Sequence, residues 1–309
     1  MCKKIFLGVL LLAFLVCLVL GARLLVDKDN PLTYYDDFGV ETSSTSFSRG
    51  GIGQRMAALS LFSATSAATN TPQYYSILVT GQSLALGALG VPALTVRQPY
   101  LNLMYEQGRL VPLIENYANP AVSQKATETV NSALANTISF LAGSTSPQFI
   151  ISRSATNGAE MSKIKKNGNL STYAEGLAEI RAIRDVLAKN KEQHKVAAIV
   201  LIHGETDHTL IQSGATNTYA DDIRRLRANY DMDLRRMTGQ SEKIPIFIDQ
   251  MMSFTGYGQA TSSIPLAQYA ASLNDSNVYL VTPKYIFDYY PAGSQAHLVN
   301  ISYRWLGEY

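Results

Sequence analysis

The chain has 309 residues, 47% of them apolar and 16% charged, with 21 glycines and 11 prolines. That balance supports a sizeable core and excludes a wholly disordered or collagen-like chain. The formal net charge is +2, yet residues 1–23 hold three basic side chains (Lys3, Lys4, Arg23) and no acid, which leaves 23 basic against 24 acidic residues in the body. A near-neutral body gives no electrostatic reason to expect nucleic acid or an anionic membrane surface as partner.

Both cysteines, Cys2 and Cys17, lie in the leader, so the body has no disulfide, no thiolate nucleophile and no Cys-ligated zinc. Lys3 and Lys4 precede an uninterrupted apolar run of 18 residues, 5–22. This is the charged and apolar pattern of an export signal. Two outcomes stay open. Leu20-Gly21-Ala22 is a poor cleavage site because Leu is bulky, and 18 residues is near the lower limit for an uncleaved span. In either case the lysines stay inside and the body is secreted, periplasmic or anchored outside the cytoplasm. Residues 24–72 lack a sustained period and contain Ser/Thr-rich stretches at 41–48 and 63–71, so they read as a tether with a short helix near 54–62.

From Tyr74 onwards strand and helix signals alternate. Residues 74–80 (YYSILVT), 149–153, 196–202 (VAAIVLI), 244–249 and 278–281 read as strands. Helices are expected over 122–141 with Gly143 after it, over the stripe Leu177, Ile180, Ile183 and Leu187 capped by Ser171, and over Ile223–Met237 positions ended by Gly239. The alternation predicts a three-layer α/β domain over 73–309, with a mostly parallel five-stranded sheet and helices on both faces. Ligands in such folds sit beyond the carboxyl ends of the strands.

Three strand ends concentrate polar residues. The first strand runs into Gly81-Gln82-Ser83, where Ser83 is either a nucleophile presented at a tight turn or a helix cap. The second runs into Asn157-Gly158, a turn dipeptide whose glycine also permits close approach of a ligand. The third ends in His203-Gly204-Glu205-Thr206-Asp207-His208, which reads as an active-site block, a plain capped loop or a metal cluster of His203, Asp207 and His208. His297 lies just before a last predicted helix.

In this order, the Gly-Gln-Ser, Gly158, His-Gly-Glu-Thr-Asp and His297-Leu298 blocks resemble those of SGNH hydrolases, and most of all the sialate O-acetylesterase and carbohydrate acetylesterase branch. The resemblance implies an SGNH, flavodoxin-like fold and a serine esterase that removes O-acetyl groups from a carbohydrate. It implies Ser83 as nucleophile, His297 as general base, and the amides of Ser83 and Gly158 as oxyanion donors. Gln82, Asn157 and His203 belong with them on the substrate and oxyanion side, His203 standing where this branch has Gln. The family's Asp, three residues before the histidine, is Ser294 here. Either a Ser–His dyad operates or another carboxylate serves, with Glu205 and Asp207 ahead of Asp288. No cofactor or metal is expected, and the 18 tyrosines suit a sugar-like substrate. The alternative is a non-catalytic carbohydrate-binding or surface module on a degenerate esterase fold.

Overall fold

The computed structural model describes residues 73–116, 125–143, 146–290 and 296–309. The leader, the tether, the short helix near 54–62 and Ser294 lie outside the described residues. Thr71–Thr137 and Pro147–Glu308 make one compact unit, and Ile138–Ser146 groups separately.

Seven strands form one sheet: β1 Gln73–Gly81, β2 Leu103–Glu106, β3 Arg109–Pro112, β4 Gln148–Ala155, β5 Gln193–Ile202, β6 Ile246–Gln250 and β7 Val278–Pro283. Their order is β3-β2-β4-β1-β5-β6-β7, and every pairing is parallel except β2 with β3. The five strands expected from sequence are present as β4-β1-β5-β6-β7. Counted among themselves, their order is 2-1-3-4-5, the flavodoxin-like arrangement. The expected strand number is corrected to seven by the β2–β3 hairpin on one edge. Its two four-residue strands carry no sustained alternation, and its turn at Gln107 and Gly108 takes φ of 47° and 86°.

The helices are α1 Val130–Ala142, α2 Met161–Ile164, α3 Thr172–Lys189, α4 Glu205–Gln212, α5 Tyr219–Thr238, α6 Ile264–Asn274 and α7 Asn300–Glu308. Leu78 and Ile150 on the strands share a core with Ile180 and Ile183 of α3, Leu226 and Tyr230 of α5, and Ala267 and Ala271 of α6. The alternate strand positions Ile77, Val79 and Ile151 point to the other face and are buried as well. Both faces of the sheet are therefore covered, which is why β5 reads as a continuous apolar run.

Two helix expectations change. Of the helix expected over 122–141, residues 122–124 lie outside the described residues, and from 125 onwards it starts only at Val130, because Glu128 is committed elsewhere. Its carboxylate accepts from the Leu94 amide (2.6 Å), the Thr95 amide (2.9 Å) and the Thr95 hydroxyl (2.7 Å), and its own amide donates to Gly90 O (2.7 Å). Ser171 stands at the N-cap of α3 without capping it; its hydroxyl donates to the Glu175 carboxylate. Gly239 does end α5, at φ 74°, with its amide on Arg235 O. Helices α4 and α6 carry no stripe that sequence could show. Helix α6 exposes Leu266 and Leu273 while burying Ile264 and Ala271, so apolar residues lie all round it.

Candidate active site

The order of strands reverses at β1, flanked by β4 and β5, and all three end on the same side. Gly81 closes β1 at φ +139°, and an added Cβ would lie 2.1 Å from Ile202 O. Only glycine lets the last β1–β5 pair, Gly81 with Ile202, come together before the chain turns. We expect Gly81→Ala to destabilise the fold by at least about 2 kcal/mol, read by chemical denaturation, since both the dihedral and the contact with rigid backbone are unfavourable. An unchanged midpoint would contradict this geometry.

Beyond Gly81 the chain makes successive turns, with Leu86 N on Ser83 O (3.1 Å) and Ala88 N on the same carbonyl (3.0 Å). Leu84 and Ala85 are fully buried beneath them and fix the turn. Ser83 therefore caps no helix. Its Oγ lies 2.8 Å from His297 Nε2. His297 reaches it from the loop before α7, held because its carbonyl accepts from the Tyr290 amide (2.8 Å) and the next residue, Leu298, pairs with Tyr289. Asn157 and Gly158, at the end of β4, line the same cleft of about 400 Å³. Gly158 has φ +62°, with open space where a Cβ would stand.

Glu205 opens α4 and also lines the cleft. Its Oε2 accepts from Gln82 Nε2 (2.9 Å), and its Oε1 accepts from Lys284 Nζ (2.5 Å) and Ser253 Oγ (3.3 Å). Lys284, fully buried after β7, also lies 2.7 Å from Asp249 Oδ2 at the end of β6. Burial alone would lower the Lys284 pKa, but the carboxylates of Asp249 and Glu205 outweigh it and hold the ammonium charged. Burial pushes Asp249 up to about 6 despite the adjacent ammonium.

No family model and no curated protein matches the chain. Solved structures do. An Arabidopsis thaliana protein aligns with a TM-score of 0.56 at 18% identity, over 77% of this chain and 95% of its own. NanS aligns at 0.48 and 14%, over 76% and 94%. Est24, a carbohydrate acetylesterase from Sinorhizobium meliloti, aligns at 0.42 and 11%, over 76% and 95%. The likeness is one of fold: a mostly parallel sheet with helices on both faces.

Within this fold two candidates lie elsewhere than the sequence reading put them. His203 is fully buried and does not face the cleft. Its Nε2 lies 2.9 Å from Ala159 O, which can only accept, and its Nδ1 lies 2.8 Å from the Tyr219 hydroxyl. Burial keeps the ring neutral, so Nε2 carries the proton. His203 is therefore spent on the carbonyl next to Gly158 rather than on an oxyanion. Asp207 does not approach His297 either. Its Oδ2 accepts from the Met161 amide (3.0 Å) and lies 3.7 Å from His203 Nδ1. The two residues together hold the loop that follows β4.

A metal cluster of His203, Asp207 and His208 is not formed, since both His203 nitrogens are taken and His208 Nδ1 pairs with Ser262 Oγ (2.8 Å). Asp288 is exposed, and its backbone anchors the start of α7 through Ser302 Oγ (3.0 Å) and Val299 N (3.2 Å). Of the carboxylates considered, Glu205 is the one that lines the cleft, and it touches Gln82 rather than His297. Sequence reasoning missed Lys284, Asp249, Ser253, Thr209 and Tyr257. Applying the strand-end rule to Asp249-Gln250 and Pro283-Lys284 as well would have found the first two.

Proposed function

We propose that this protein is a serine esterase that removes O-acetyl groups from a carbohydrate. The observation that carries the reading is the 2.8 Å contact between Ser83 Oγ and His297 Nε2, two residues 214 positions apart, at the carboxyl end of a parallel sheet. In this mechanism Ser83 Oγ attacks the acetyl carbonyl while His297 Nε2 takes its proton. The Ser83 and Gly158 amides stabilise the oxyanion, and His297 then protonates the departing sugar hydroxyl. A water molecule repeats the sequence on the acetyl-enzyme and restores Ser83. The body over residues 73–309 works outside the cytoplasm in this reading, supported by Lys3, Lys4 and the apolar run after them.

The test is acetate release by the purified full chain from 4-nitrophenyl acetate and from an acetylated glycoside. No turnover of either ester would end the reading.

Its pH dependence follows from the site. Burial pushes the His297 imidazole below the usual histidine range; the Glu205 charge pulls it up and the Lys284 ammonium pushes it down again. A general base works only when neutral, so a lowered pKa moves the rising limb of kcat/KM to lower pH. The limb is expected below about pH 6.5, with a plateau at neutral pH. A limb centred above pH 7 would contradict it.

A further inference from the structure

We infer that the cleft selects acetylated sugars that carry no carboxylate and disfavours acidic sugars such as uronates and sialates. This rests on the esterase reading of the same site and adds the charge class of its substrate. Among the described residues that line the cleft, Glu205 supplies the charge. Beneath it Glu205 and Asp249 share a single ammonium, Lys284, so two carboxylates stand against one cation under the nucleophile.

The positive end of α4 does not offset this charge. Asp207, beside Glu205 in its first turn, already places a second carboxylate at that end. An acidic sugar would therefore bring its carboxylate towards a fixed carboxylate, with no Lys or Arg among the described lining residues to receive it. For unit charges about 10 Å apart at an effective dielectric constant of about 20, the repulsion corresponds to roughly a tenfold loss in affinity.

The remaining lining suits a neutral polyol. Asn157 offers an amide, and Thr206 and Thr209 offer hydroxyls. Tyr257 is 43% exposed as a residue, and its ring centroid lies 6.1 Å from that of His208 with the rings inclined by 21°. A half-exposed aromatic face beside hydroxyl and amide groups can hold the apolar face of a sugar while its hydroxyls are hydrogen-bonded.

The experiment uses the full chain at pH 7.5 with three matched esters: a methyl glucoside carrying one O-acetyl group, the glucuronoside acetylated at the same position, and the methyl ester of that glucuronoside. 4-Nitrophenyl acetate with wild type and Ser83→Ala is the control. The glucoside and the methyl ester are expected to be deacetylated with kcat/KM about tenfold above the glucuronate, and the gap should narrow at high salt as the charges are screened. Equal kcat/KM within twofold, or a faster glucuronate, would overturn the charge selection while the 4-nitrophenyl acetate control upholds the esterase. Hydrolysis of none of the four esters would overturn both.

Discussion

Ser83→Ala is expected to abolish ester hydrolysis, with a loss of about 10⁶ in kcat, and to leave the fold in place. The loss is large because, in the proposed mechanism, the hydroxyl is both the attacking atom and the proton donor to His297. What remains would come from the amides and from binding alone. The fold should persist because Ser83 Oγ bonds a side chain in the cleft and no backbone group of the turn. A thermal melt should therefore change by the worth of one hydrogen bond, about 1 kcal/mol. Activity within tenfold of wild type would remove Ser83 from the nucleophile role. A large drop in Tm would instead make its role structural.

Lys284→Met is expected to produce the largest loss of stability of any single change near the cleft, about 3–5 kcal/mol. The substitution nearly conserves volume but leaves Glu205 and Asp249 as two buried carboxylates with no counter-charge. Chemical denaturation measures the effect directly. The triple variant Lys284→Met, Glu205→Gln, Asp249→Asn separates charge from packing. With no charge left to bury it should recover most of the loss, whereas a packing defect would persist. A single-variant change below about 1 kcal/mol would mean that the ammonium does not hold the two carboxylates together. Glu205 also accepts from Gln82, the residue before Ser83, so the single variant should lower kcat in the fraction that folds.

The strands were legible because their signal is local. The apolar runs of β1 and β5 specify strands covered on both faces, whatever they pair with, and a polar block directly after such a run marks a strand end. Gly81, Asn157-Gly158 and Glu205 were singled out for that reason. The β2–β3 hairpin was not legible, since four residues on an edge need bury little and alternate little. The start of α1 was hidden for another reason: Glu128 spends its carboxylate on amides more than 30 positions away, which no local propensity records.

The direction in which each polar side chain points was decided by tertiary structure alone. His203 and Glu205 are two residues apart at the end of one strand, yet one turns inward to Ala159 O and Tyr219 while the other lines the cleft. Their partners come from segments 16 to 123 positions distant. The same holds for Lys284, an ordinary lysine in the sequence, whose burial is tolerable only because Asp249 and Glu205 arrive from two other strand ends to neutralise it. Sequence by itself determines which residues form strands and which strand ends carry chemistry, because hydrophobic period and backbone conformation act over a few residues. Pairing of charges and hydrogen bonds is set by contacts between distant segments, and only the folded sheet fixes those.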